Sequence, residues 1–123
     1  MIKILILDDE VDITMSITKL VERIPDVRCF PAYAGHEAMA LLEKENPDIL
    51  ILDYLLLHEP ITGLDVYRKA HELNPGALGC ILTGNASAKE RCRQAGIKHF
   101  IDKPTLMPDI LRYVKGLVAD YRK

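Results

Sequence analysis

The chain has 123 residues, 49% of them hydrophobic and 28% charged, with a formal net charge of -2, which describes one domain able to bury a core without staples. Scattered rather than bunched basic residues argue against a nucleic-acid surface, and no apolar run approaches the roughly 18 residues of a membrane span. Cys29, Cys80 and Cys92 lack the paired spacing of a zinc site, and Asp8-Asp9-Glu10 follows the first apolar run, unlike a signal peptide, so the expectation is a cytoplasmic chain with free thiols and no membrane or direct nucleic-acid partner.

The first strand is expected over residues 2–7, apolar but for Lys3, and it runs into three acids. With Asp12 as a plausible N-cap, Ile13, Ile17, Leu20, Val21 and Ile24 then recur at helical spacing until Pro25. Residues 27–33 make a poorer strand, and its Pro31 suits a sheet edge. Gly35 opens a second helix with Ala38, Leu41 and Leu42 inward, closed by Asn46-Pro47. Ile49-Leu50-Ile51-Leu52 reads as a strand buried on both faces, and it ends on Asp53. A loop with unusual apolar content leads to a third helix over residues 63–73, with Val66, Tyr67 and Ala70 inward. The fourth strand, 78–82, ends in Thr83-Gly84-Asn85, and a fourth helix over about 86–95 offers only Ala88, Cys92 and Ala95 as an apolar face. That face is the weakest of the five, so this helix is expected to be the readiest to shift. A fifth strand at 98–101 precedes Asp102-Lys103-Pro104, and a last helix from near Pro108 buries Ile110, Leu111, Val114, Leu117, Val118 and Tyr121.

Five strands alternating with five helices imply a doubly wound α/β domain over residues 1–123, a flavodoxin-like (βα)5 arrangement. The two most polar strands, the second and fifth, belong at the edges of the order 2-1-3-4-5. In such sheets the site lies beyond the carboxyl ends of the strands, at the switch point between the first and third. Here those ends carry Asp8, Asp9, Asp53, Thr83 and Lys103.

Three carboxylates brought together repel, and each has its pKa raised unless a cation relieves them. An all-oxygen ligand set without histidine or thiolate suits Mg2+. Lys103 is placed to pair with Asp53 at rest and with a phosphoryl oxygen later, and the Thr83 hydroxyl can donate to the same group. Phosphoryl transfer is the chemistry such a set supports, since it needs mainly positioning and charge neutralisation.

On Asp8-Asp9, Asp53, Thr83-Gly84, and Phe100 three places before Lys103-Pro104, the whole chain resembles the response-regulator receiver domain of two-component signalling, including the chemotaxis-type single-domain receivers. The resemblance implies that Asp53 takes a phosphoryl group from a histidine on a partner kinase or phosphotransfer protein. It implies that Asp9 ligates Mg2+ directly, Asp8 mainly through water, and a backbone carbonyl near Leu55 completes the set. Thr83 and Lys103 would bind phosphoryl oxygens and let Phe100 turn inward, which reshapes the surface of the fourth helix, fifth strand and fifth helix for a phosphorylation-dependent protein target or a homodimer. The Lys103-Pro104 bond is often cis in this family. Leu55 and Asn85 fall where family side chains influence water attack on the acyl phosphate. Apolar Leu55 cannot orient a water, so slow self-dephosphorylation is expected, in a switch rather than an enzyme with turnover.

The departure from the family pattern follows Asp53. Proline and glycine commonly stand four and eight residues beyond the phosphorylated aspartate, but Leu57 and Ile61 occupy those offsets here. The matching Gly63 is ten beyond, so the loop around His58-Glu59-Pro60 is two residues longer. His58, like His36, His71 and His99, is read as a surface residue. A flavin or nucleotide binder on the same fold would want a glycine- or serine-rich cradle where Asp8-Asp9 stands. A phosphohydrolase working through an aspartyl phosphate would want a second acid two residues past Asp53, where the chain has Leu55. The sequence carries no DNA-binding segment after the last helix, so it reads either as a stand-alone receiver or as the front of a longer regulator.

Overall fold

The computed structural model describes residues 1–57, 59–103 and 107–123. Strands and helices alternate in chain order: β1 (Ile2–Leu7), α1 (Val11–Val21), β2 (Val27–Ala32), α2 (Gly35–Glu45), β3 (Ile49–Asp53), α3 (Gly63–Leu73), β4 (Leu78–Leu82), α4 (Ala86–Gln94), β5 (His99–Ile101) and α5 (Met107–Tyr121). The strands form one parallel sheet in the order β2-β1-β3-β4-β5, with the polar strands at its edges as expected.

Side chains alternate across a strand, and here the alternation sorts by residue type. Ile4, Ile6, Ile49 and Ile51 face α1 and α5, where they pack with Ile17, Val21, Ile110, Val114 and Leu117. Leu5, Leu7, Leu50 and Leu52 face the other way, onto Ala38 and Leu42 of α2, Val66 and Tyr67 of α3 and Cys92 of α4. The register aligns Ile4 with Ile49 and Ile6 with Ile51. One further step along both strands sets Asp8 opposite Asp53 on the face of α1 and α5. A two-residue periodicity thus carries the apolar core directly into the acidic site.

Local chemistry sets the helix ends. Asn46 takes the left-handed conformation at φ 47°, where its N–H closes α2 on the Leu42 carbonyl. Thr62 and Asp65 form a reciprocal capping box at the start of α3. Asn85 caps α4 by accepting from the Ala88 N–H at 2.9 Å. At α1 the expectation needs correction: Glu10 holds the N-cap position without a side-chain bond, and Asp12 lies inside the first turn. The helix also stops at Val21, and Ile24 is buried from the following turn. In α5, Leu111 and Tyr121 are only half-buried.

The amino ends of the strands are clasped by Asp48. Its carboxylate accepts the Lys3 N–H at 2.9 Å and the Tyr121 hydroxyl at 2.7 Å, which ties β1, the start of β3 and the end of α5 together. Cys29, Cys80 and Cys92 are free and buried, as expected from their positions inside β2, β4 and α4. No helix among the described residues is long and apolar enough to cross a membrane.

Candidate functional site

The site is built where β1 and β3 release the chain at the switch point. Asp8 is fully buried and Asp53 nearly so. Oxygens of Asp8, Asp9 and Asp53 all lie within 4.8 Å of one another. Each is held by backbone geometry. Asp8 accepts the Glu10 N–H at 3.0 Å, and its own carbonyl accepts the hydroxyl of buried Thr14 at 2.6 Å. Asp9 accepts the Leu57 N–H at 2.7 Å from across the site. Asp53 is fixed from behind by Gly63, where an added Cβ would stand 2.3 Å from the Asp53 carbonyl oxygen. Only a residue without a side chain lets α3 begin so close to that backbone.

Lys103 reaches in from the end of β5. Its ammonium donates to Asp8 at 2.7 Å and lies 3.3 Å from Asp53, so it bridges the two buried acids. The sequence suggested Asp53 as the resting partner. That pair is present, and a second, shorter bond goes to Asp8, the more deeply buried of the two and so the one least served by water. Gly84 sets the height of this lysine: a Cβ there would meet the Lys103 carbonyl oxygen at 2.7 Å.

One cation does not neutralise three acids. Burial first, and then the charge of Asp8, push the Asp53 carboxyl up to about 7, with Asp9 adding to the rise and Lys103 only partly opposing it. For Lys103, burial alone would lower the pKa, but the hydrogen bond to Asp8 and the charges of Asp53 and Asp8 outweigh it and the net shift is upward. A lysine held so firmly in its charged form stays a cation at any physiological pH. The donor set, three carboxylates with no histidine or thiolate, fits a hard divalent cation such as Mg2+, and such an ion would supply the positive charge the cluster lacks.

Thr83 is buried at the end of β4, where its hydroxyl oxygen accepts the Asn85 N–H at 3.1 Å. Among the described residues no hydrogen bond joins Thr83 to the carboxylates. Phe100 is half-buried on β5, with the Arg93 guanidinium 5.2 Å above its ring and its N–H donating to the Tyr113 hydroxyl at 3.0 Å. Leu55 and Leu57 are both exposed, at 64% and 62%, while Leu56 between them is buried. A groove of about 610 Å3 opens past the ends of β3 and β4, walled by Tyr54, Leu55, Thr83, Asn85 and Arg91. The Arg91 guanidinium donates to the Tyr54 hydroxyl at 3.3 Å across it.

Sequence reasoning missed two contacts of the lengthened loop between β3 and α3. One is the Leu57 N–H on Asp9, and the other is the Glu59 carboxylate on the Gly35 N–H. The only sequence signal was the extra length itself. His58 and the Lys103-Pro104 bond lie outside the described residues. Among the other histidines, His36 and His71 are exposed as expected, although His71 stacks on Tyr67. His99 is half-buried, with one side against the edge of Tyr113 from α5.

A doubly wound sheet whose switch point gathers three carboxylates and a bridging lysine defines the class of acidic-pocket α/β domains. The family model for the response regulator receiver domain matches residues 4–115, and the chain belongs to that family. It is 32% identical over 123 residues to a Pseudomonas aeruginosa protein named "Putative transcriptional regulator", a match covering 98% of this chain and 58% of that one. It is 27% identical to the transcriptional regulatory protein TrcR of Mycobacterium tuberculosis, over 95% of this chain and 45% of that protein. The chain thus spans about half the length of the curated relatives it matches. A CheY-like receiver domain protein from Methanospirillum hungatei superposes with a TM-score of 0.86 at 26% identity, covering 99% of this chain and 97% of that one. Receiver domains are signalling switches rather than classical enzymes; they interact with histidine kinases and phosphotransfer proteins and typically bind Mg2+ at an acidic pocket.

Proposed function

We propose that Asp53 is the phosphoacceptor of this receiver domain, in a Mg2+-dependent transfer from a phosphohistidine on a partner kinase or phosphotransfer protein. The observation that carries the reading is the bridging of Asp8 and Asp53 by Lys103 beside Asp9, with all three carboxylates within 4.8 Å. In the transfer an Asp53 carboxylate oxygen bonds to phosphorus as the P–N bond breaks, and the donor imidazole keeps the electron pair. Asp8, Asp9 and Asp53, with a backbone carbonyl of the following loop near Leu55, would hold the cation, whose charge lowers the cost of ionised Asp53 and of the incoming phosphoryl oxygens.

Lys103 gives up Asp53 for the phosphoryl group while keeping Asp8, a change of partner its present bridging position makes small. Thr83 turns its hydroxyl toward the same oxygens, and Phe100 follows inward. Buried Ala88 and Cys92 are the main anchors of α4, so the surface of α4, β5 and α5 is the part that moves. A protein target or a second copy of the chain would read that surface. Residues 1–123 act as one receiver unit, and output runs through such contacts or through a following domain. We read the chain as a cytoplasmic switch without substrate turnover.

Leu55, two residues past Asp53, is exposed in the wall of the groove, and its side chain offers no hydrogen bond to an attacking water, so the acyl phosphate should be long-lived. Incubation with a small phosphodonor in Mg2+, followed by intact-mass measurement, should add one phosphoryl group to the wild type and none to Asp53→Ala or to protein kept in EDTA. Uptake by Asp53→Ala would overturn the reading. Phosphate loss from Leu55→Asn no faster than from wild type would overturn the assignment of lifetime to Leu55.

A further inference from the structure

The two extra residues after Asp53 build a connection that local sequence did not announce. The two ends of the connection between β3 and α3 close on each other: the Gly63 N–H donates to the Tyr54 carbonyl at 2.8 Å, and Leu55 and Thr62 pair as an antiparallel bridge. From this loop two groups reach out to different parts of the fold. The Leu57 N–H donates to Asp9 Oδ2 at 2.7 Å. Both oxygens of Glu59 accept the Gly35 N–H, at 2.9 and 3.0 Å.

Gly35 is the first residue of α2, and the N-cap residue Ala34 supplies no side-chain cap, so this N–H has no partner within its own helix. Glu59 therefore caps α2 from another part of the chain, with its negative charge at the positive end of the helix. The fit is tight: a Cβ at Gly35 would stand 3.0 Å from Glu59 Oε1 and 3.3 Å from Ile61 Cβ, so the carboxylate would have to give way. A buried leucine, Leu56, adds a third attachment.

We propose that Glu59 is a positioning residue for the cation site. By anchoring the loop to α2 it holds the Leu57 N–H against one oxygen of Asp9, so that the other carboxylate oxygen keeps a single aim toward Asp8 and Asp53. Hydrogen bonds that orient a ligating carboxylate strengthen cation binding, and this one reaches Asp9 through backbone held by a side chain on the opposite side of the loop. The inference rests on the reading of Asp8, Asp9 and Asp53 as the Mg2+ ligands. It adds a communication route: occupancy at Asp9 should be felt at the first turn of α2, beyond the helices named for the switch.

The test is a Mg2+ titration of 15N-labelled protein followed by amide resonances, on wild type, Glu59→Ala, Glu59→Gln and Gly35→Ala. In wild type, Mg2+ should shift the amides of Asp9, Asp53, Leu57 and Gly35. In Glu59→Ala the Leu57 amide should move upfield before any Mg2+ is added, and the Mg2+ dissociation constant should rise about three- to tenfold, less than for a group that bonds the ligand directly. Gly35→Ala, which pushes the carboxylate away without changing charge, should do the same, and Glu59→Gln, which keeps one acceptor oxygen, should fall between. Wild type that binds Mg2+ at these acids with all three variants equally tight would overturn the role of Glu59 and leave the cation site standing. Wild type without any response at Asp9 and Asp53 would overturn the cation site itself, and the positioning role with it.

Discussion

Replacing Asp53 by asparagine should stabilise the metal-free protein, and only above acidic pH. Burial and Asp8 raise the Asp53 pKa from 3.8 to about 7, so the native state holds this proton more tightly than the unfolded chain does. As pH rises from about 4, the unfolded chain ionises Asp53 freely while the native state resists, and stability is lost until the folded carboxyl also ionises near pH 7. Three pKa units correspond to about 4 kcal/mol as a ceiling. Asparagine removes that cost but places its amide beside the Lys103 ammonium, which takes back part of it, so a gain of roughly 1–3 kcal/mol is expected at pH 8. For a domain of this size that is a rise in the unfolding midpoint of about 4–12 °C. Below pH 4 the two proteins should melt together. Thermal unfolding in EDTA across pH 4 to 8 measures the difference. A gain independent of pH, or a less stable Asp53→Asn at pH 8, would refute the reasoning that burial, with the charge of Asp8 beside it, makes ionised Asp53 costly in the resting site.

Asp48→Ala should cost about 2–3 kcal/mol in urea unfolding, because the Lys3 N–H and Tyr121 hydroxyl both lose a charged acceptor, whereas Tyr121→Phe should cost about 1 kcal/mol. Equal losses would mean that Asp48 matters only through α5. Gly84→Ala forces a Cβ against the Lys103 carbonyl, so phosphoryl uptake from a small donor should slow on the order of tenfold while the far ends of the strands keep their hydrogen-exchange protection. Unchanged uptake would show that Lys103 can move without consequence. All three thiols should resist Ellman's reagent until the protein unfolds: burial pushes Cys29 and Cys80 up to about 12, helped at Cys29 by Glu22, and raises Cys92 as well. A thiol that reacts in native buffer would contradict the packing of its strand or helix.

Much of this architecture was legible because it follows from short-range pattern. The apolar runs of β1 and β3, each ending in acids, and the strand–helix alternation that sets a switch point between them were enough to place Asp8, Asp9 and Asp53 together. Pro31 marked an edge strand, and Asn46-Pro47 marked a helix end that the left-handed Asn46 then made. Asp12 misled because several acids crowd the start of α1 and any of them could cap it by type. The backbone puts Glu10 at that position instead. The bonds that shape the site's outer side escaped for a different reason. Leu57 and Asp9 are 48 residues apart, and Glu59 and Gly35 are 24 apart, so neither pair leaves a local signature. Lys103 was placed correctly at its strand end, but its preference for Asp8 depends on relative burial, which only the folded packing sets.

The central claim is that Asp53 itself accepts the phosphoryl group. Its most direct test is to phosphorylate the protein with a small donor in Mg2+, reduce it with borohydride, which converts an aspartyl phosphate to homoserine, and sequence the peptides by mass spectrometry. Homoserine is expected at position 53, with Asp8 and Asp9 intact. Conversion at Asp8 or Asp9, or a phosphoryl group found on a histidine or hydroxyl side chain with Asp53 unchanged, would contradict it.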